Sequence, residues 1–151
     1  MQNAKQGDFK LFDASQWQIG IVVAQFNQNI TQGLHESTLK RAKAYSIPDK
    51  NIDSILVAGA VEIPLALQHM AKQNHYQALV AIGCVIKGDT AHFDYVAKFV
   101  TDGVLRVQLD FHIPIAFGVL TCNNEAQALE RTHLGSEFLD AVLHQAKFIN
   151  D

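Results

Sequence analysis

From Gly88 to His92 the chain reads Gly-Asp-Thr-Ala-His, and this stretch carries the first hint of chemistry. A glycine, a short carboxylate and a hydroxyl suit a tight turn just ahead of a helix. Such a turn leaves unpaired backbone N–H groups pointing outward at the positive end of a helix dipole, a setting that attracts phosphate. Gly88, Asp89 and Thr90 are therefore candidate phosphate contacts. Two residues after Thr90 stands His92, of the side-chain type that titrates nearest neutrality and can both give and take a proton. Together these residues point to proton transfer on a small phosphorylated molecule. Taken alone, a short Gly-containing turn followed by a surface histidine is also an ordinary strand-to-helix connection. The rest of the chain has to decide.

The turn follows the run Ala78 to Ile86, nearly unbroken in apolar residues, as a strand covered on both faces requires. The same logic gives a first strand over Gln18–Gln25, a second over Asp53–Ala58 and a fourth over Ile113–Leu120. Helical spacing predicts helices over Thr31–Tyr45, Leu65–His75 and His92–Phe111, with Val96, Phe99, Val100, Val104 and Val107 as the inward stripe of the last. Gln127–Arg131 and Glu137–Phe148 also read as helical, with a break near Gly135. Four strand-then-helix units imply a single-domain α/β protein, a three-layer α/β/α sandwich around a four-stranded parallel sheet with right-handed crossovers. In such sheets ligands bind beyond the carboxyl ends of the strands, where strand order reverses.

At 151 residues and 48% hydrophobic content the chain suits one domain with a substantial core. Residues 1–16 are polar and mixed and read as an amino-terminal arm, which if ordered leans on something else, a neighbouring subunit being one option; residues 17–151 form the domain. A net charge of -3 without a basic stripe argues against nucleic acid. The first residues lack a signal peptide's apolar core and no apolar run is long enough to span a bilayer, so a soluble, cytoplasmic protein is expected. The two cysteines, Cys84 and Cys122, each end an apolar run and are expected as buried free thiols. The seven histidines show no metal-binding grouping.

Other unusual residues fall at the remaining strand ends. Phe26 and Asn27 offer a flat face and an amide, suited to a planar heterocycle with ring N–H and C=O groups. Glu62, beside the backbone of Ala60 and Val61, has the chemistry to accept hydrogen bonds from a polyol, although first-turn glutamates are usually dipole partners. Arg131 is able to grip a phosphate in a two-pronged contact, but a lone arginine on a late helix is more often a solvated charge. Phe117, in mid-strand, reads most simply as core. One by one these are unremarkable.

Together, Phe26-Asn27, GAVEIP from Gly59, GCVIKGDTAHFDYV from Gly83 and PIAFGVLTCNNEAQALER ending at Arg131 resemble the lumazine synthase family. The resemblance runs in order from Phe26 to Arg131 and implies a flavodoxin-like architecture. It implies that Phe26 stacks on a pyrimidine, that Asn27 is one of the substrate-binding residues, and that Ala60, Val61 and Glu62 hold a ribityl chain. The backbone of Cys84, Val85 and Ile86 would read the pyrimidine edge. Gly88, Asp89, Thr90 and Arg131 would hold phosphate, and His92 would transfer protons. Phe117 corresponds to a ring that completes the site from an adjacent subunit, making the site a property of a homo-oligomer, a pentamer or an assembly of pentamers. Riboflavin synthase is a further partner by the same resemblance. Three departures stand out: Lys87 where arginine is usual, Val61 in place of a common aromatic, and THLGSEFLDAV after Arg131, shorter than in many relatives and without their Gly- and Lys-rich loop.

The implied reaction condenses 5-amino-6-(D-ribitylamino)uracil with 3,4-dihydroxy-2-butanone 4-phosphate to 6,7-dimethyl-8-ribityllumazine, releasing phosphate and water in riboflavin biosynthesis. It needs proton transfers but neither metal nor redox cofactor. Two rival readings use the same strand ends: a flavin- or lumazine-binding module of little activity, and a shell-forming paralogue. A receiver-type domain would need an acidic cluster after the first strand, and Ala24-Gln25-Phe26-Asn27 lacks one.

Overall fold

A computed structural model describes residues 4, 5 and 7–150. Four strands, β1 (Ile19–Ala24), β2 (Ile52–Val57), β3 (Ala78–Ile86) and β4 (Ile115–Cys122), form one parallel sheet in the order β2-β1-β3-β4. Helices α1 (Gln28–Ala44), α2 (Ile63–Ala71), α3 (His92–Phe111), α4 (Glu125–Leu129) and α5 (Gly135–Asn150) complete the described chain, with short 3-10 turns at Asp49–Asn51, Ala60–Glu62 and Thr132–Leu134. The three-layer α/β/α sandwich expected of the sequence is what forms. Strand order reverses between β1 and β3, so the crevice at their carboxyl ends lies between Ala24 and Ile86.

The sheet buries both faces. On one side Ile21, Val23, Val80 and Ile82 pack with Leu34 of α1 and Leu139 and Leu143 of α5. On the other, Val22, Leu79 and Ala81 pack with Ile63 and Leu67 of α2 and Val100 and Val104 of α3. Each such aliphatic side chain contributes about 1.5–3 kcal/mol on leaving water. β1 and β3 are buried along nearly their whole length, which explains their unbroken apolar sequence, whereas the edge strand β2 leaves Asp53, Ser54 and Leu56 exposed. Asp140 is the one charged group in the buried set. Its Oδ1 accepts hydrogen bonds from Arg41 Nε at 2.8 Å and the Tyr45 hydroxyl at 2.7 Å, binding α5 to the far end of α1.

Several expectations are corrected. Phe99 does not belong to the inward stripe of α3: it is 55% exposed, while Val100, Val104 and Val107 carry the packing. The amino-terminal segment is not wholly outside the core. Ala14 is buried, its N–H donates to the Tyr45 carbonyl, and Phe12 lies edge-on to Trp17, Tyr45 and His144. These described residues lean on their own chain; Met1, Gln2, Asn3 and Gln6 of the arm, and Asp151 at the other end, lie outside the described residues. α2 ends at Ala71 rather than His75, and Asn74 sits at φ 59°, a left-handed turn that an α-helix does not contain. β4 begins at Ile115 because Pro114 has no N–H to give the ladder. Near Gly135 the break is the 3-10 turn before it, and Gly135 itself opens α5.

Candidate active site

The decisive joint is at the end of β1. Asn27 is the N-cap of α1 with φ 59°, a left-handed conformation that asparagine tolerates better than most residues. Its side chain does not cap its own helix; Nδ2 instead donates to the Cys84 carbonyl at 2.9 Å. The β1–β3 pairing stops at Val23 and Ile82, so Gly83–Ile86 run past the end of β1. Backbone polar groups alternate sides along a strand, and the Lys87 N–H, odd in this alternation, goes to the Cys122 carbonyl of β4. Cys84 and Ile86 therefore turn their amides and carbonyls toward the space beside Asn27. One N–H of Asn27 is committed to Cys84, while the Ile86 backbone faces the crevice that a flat heterocycle with N–H and C=O edges would fill.

Phe26, directly before Asn27 at the same sheet edge, has a ring 73% exposed, and its N–H donates to the Ala58 carbonyl after β2 at 3.0 Å. The ring rests on Gly59, which the sequence names only as the start of the GAVEIP stretch. A Cβ on Gly59 would lie 3.4 Å from Phe26 Cδ2 and 3.4 Å from Glu62 Oε2. The Gly59 N–H donates to Glu62 Oε2 at 2.9 Å, and the Gly59 carbonyl accepts from the Glu62 N–H at 3.1 Å, closing the turn Ala60–Glu62 from both ends. Glycine followed three residues later by glutamate was the available signal. One Glu62 oxygen thus fastens its own loop and leaves the other to act outward. Ala60 is buried; Val61 and Glu62 are exposed at the crevice rim.

After β3, Gly88, Asp89, Thr90 and His92 are all exposed. The helix cap differs from expectation: the N-cap is Ala91, without a side-chain cap, and the Thr90 hydroxyl accepts from the His92 N–H at 3.3 Å. This bond from backbone to hydroxyl ties the first residue of α3 to the turn Gly88–Thr90.

From the far side, Asn124 caps α4 by accepting the Gln127 N–H at 2.9 Å, and Asn29 of α1 donates to Glu125 at 2.8 Å. Arg131 is not in α4 but caps the following 3-10 turn, with Nη1 donating to the Gln127 carbonyl at 2.6 Å. Burial pushes the Cys84 thiol up to about 12, with Cys122 and Glu125 adding to the effect. Burial also raises Cys122, against the opposing pull of the Arg131 charge, which reaches the carboxyl end of β4. Both cysteines are free and buried, so neither is an activated nucleophile.

Phe117 is the exception. It pairs with Ala81, well before the end of β4, and lies 39% exposed in a small groove with Phe138 and Gln145. It does not meet the other residues within one chain. A groove of about 530 Å³ runs from Glu62 along α2 past Leu65 and His69 and contains none of Phe26, Cys84 or His92. In a single chain the crevice is an open shelf. Among the described residues no group of three His, Cys, Asp or Glu side chains is gathered to hold a metal, and no helix is long and apolar enough to cross a membrane.

The family model for 6,7-dimethyl-8-ribityllumazine synthase matches residues 16–150, every strand and helix described above. The chain belongs to this family. Curated relatives bearing that name include a protein of Verminephrobacter eiseniae, 44% identical over 87% of this chain and 85% of its own. One from Paracidovorax citrulli is 40% identical over 100% of this chain and 99% of its own, and one from Coxiella burnetii is 38% identical over 91% and 94%.

Proposed function

We propose that this chain is a transferase that condenses 5-amino-6-(D-ribitylamino)uracil with 3,4-dihydroxy-2-butanone 4-phosphate to form 6,7-dimethyl-8-ribityllumazine, phosphate and water. The observation that carries the reading is the family match over residues 16–150, whose span includes all four strand ends gathered at one edge of the sheet. Phe26 supplies the stacking face, and the crevice-facing backbone of Cys84–Ile86 pairs with the pyrimidine edge. Ala60, Val61 and the free oxygen of Glu62 take the ribityl hydroxyls, with Asn27 beside them. Gly88, Asp89, Thr90 and Arg131 hold the phosphate.

With both molecules held, the substrate amine attacks the ketone and water leaves to give an imine; phosphate is eliminated to leave an enol that becomes a ketone, and the second amine adds to that carbonyl and closes the ring with loss of a second water. His92 gives and takes the protons, a contribution of about 10²–10⁴-fold. Holding the two reactants together supplies the larger part, since effective molarities reach about 10⁵ M or more.

The working unit is a homopentamer or an assembly of pentamers in the cytoplasm. Leu56, Leu65, Phe99 and Leu109 are each more than half exposed, apolar surface that a neighbouring copy would cover, and the open shelf needs a wall. Phe117 of a neighbouring copy provides that wall, and the residues after position 16 form the catalytic domain. Riboflavin synthase, which consumes the product, is a further partner. The test is to mix the two substrates with purified protein and follow lumazine absorbance, with sedimentation velocity on the same sample. Product above the uncatalysed background from a species of five or more subunits is expected. Background rate alone contradicts the activity, and a catalytically active monomer contradicts the shared wall.

A further inference from the structure

α1 also meets the segment on the far side of the sheet edge. Beyond Asn27, its Gly33 faces the segment that follows Arg131, and a Cβ there would stand 2.9 Å from Thr132 Cβ and 3.0 Å from Thr132 Cγ2. One helical turn later Ser37 Oγ donates to the Thr132 carbonyl at 2.8 Å. The Thr38 hydroxyl lies 3.3 Å from the Gly135 carbonyl, and a Cβ on Gly135 would collide with the Leu34 carbonyl and Ser37 Oγ. The Thr38 proton goes to the Leu34 carbonyl at 2.8 Å, so the chain between Arg131 and Gly135 is seated on α1 through the missing side chains of Gly33 and Gly135 and the Ser37 hydroxyl.

Arg131 is the residue immediately before this seat. Its N–H donates to the Ala128 carbonyl and its own carbonyl accepts from the Leu134 N–H, both at 3.0 Å. Only Thr132, His133 and Leu134 separate it from α5, so the turn has little slack and its position is set by what it docks on. A guanidinium that must present a planar fork to a phosphate gains from such a fixed root.

We propose that Gly33 and Ser37 are positioning residues for Arg131: they dock the 3-10 turn Thr132–Leu134 on α1, the helix that begins directly after Phe26 and Asn27, and so fix the root of the Arg131 guanidinium. The proposal rests on the reading of Arg131 as a phosphate contact. It also gives the short segment after Arg131 a purpose, since a longer loop would not be held by the same two residues.

The test is steady-state kinetics on the full chain, with inorganic phosphate as a competitive probe. Gly33→Ala is expected to raise both the KM for the butanone phosphate and the Ki of inorganic phosphate about 10-fold. Its kcat and its KM for the aminopyrimidine should stay within about twofold. Ser37→Ala, which removes only a hydroxyl, should raise the same two constants about threefold. Adding Thr132→Gly to Gly33→Ala removes the clash and should restore both. Leu143→Ala, a buried residue of α5 remote from the seat, should lower the melting temperature and leave both constants alone. Should Gly33→Ala fail to fold, Ser37→Ala decides. Wild-type constants in the folded seat variants, or the same change in Leu143→Ala, overturn the proposal while a raised KM in Arg131→Ala keeps the phosphate role. An unchanged KM in Arg131→Ala overturns both.

Discussion

Asn27 Nδ2 donates a 2.9 Å hydrogen bond to the Cys84 carbonyl, fastening the end of β1 to the part of β3 that has outrun its partner. Because Asn27 also sits at φ 59°, its replacement has two separable costs. Asn27→Gly keeps the backbone and loses the bond, about 1 kcal/mol. Asn27→Ala adds the left-handed strain, about 1–2 kcal/mol more. Urea denaturation should rank them in that order, and both should raise the KM for the aminopyrimidine. Equal stability of the two variants would contradict the backbone half of the account.

How much of this was legible in the sequence depends on which force sets each feature. β3 and α3 were readable to the residue because one is continuously apolar and the other keeps a long helical stripe between a glycine turn and a chain reversal. Phe99 misled because its spacing fits the stripe while its ring faces outward, and spacing cannot distinguish a core-facing apolar residue from one left for a partner. The site residues at the strand ends could be gathered only through the resemblance, since no local pattern says that Asn27 reaches across to Cys84. Gly33 and Ser37 were silent for another reason: their value lies in close approaches between distant segments, which one-dimensional spacing does not encode.

Arg131 is held by Gln127 and seated by α1, so its loss should remove binding without disturbing the proton relay. Arg131→Ala is expected to raise the KM for the butanone phosphate by about 10²-fold, the scale of a lost charge-assisted pair, with a smaller change in kcat. A fall in kcat with KM unchanged would contradict the assignment.

Asp140 tests the frame instead of the chemistry. Its Oδ1 serves both Arg41 and Tyr45 from a side chain only 8% exposed. Burial and this carboxylate together raise the Tyr45 hydroxyl well above the usual phenol range, so it remains a donor. Asp140→Ala should cost about 2–3 kcal/mol in denaturant unfolding, since it strands a buried hydroxyl and removes a charged acceptor. Activity well below the melting temperature should persist. An unaltered unfolding midpoint would show the network to be energetically idle.

Cys84 predicts an alkaline limit. Folding raises its thiol from 9.0 to about 12, so the folded state keeps a proton that the unfolded state releases. The stabilisation from the neutral thiol is complete below pH 9 and is lost as pH rises toward 12, at up to about 1.4 kcal/mol per pH unit. Unfolding free energies measured across this window should fall less steeply for Cys84→Ala than for the wild type. Identical slopes would contradict a buried neutral thiol.

Most of the proposed rate comes from holding two reactants at one set of strand ends, and a smaller part from one imidazole. The most direct measurement is the rate of lumazine formation by folded His92→Ala with both substrates saturating. The expected result is a loss of about 10²–10⁴-fold that still leaves the rate above the uncatalysed background. A variant folded like the wild type, binding both substrates, yet no faster than background would contradict that division and make His92 the source of the catalysis.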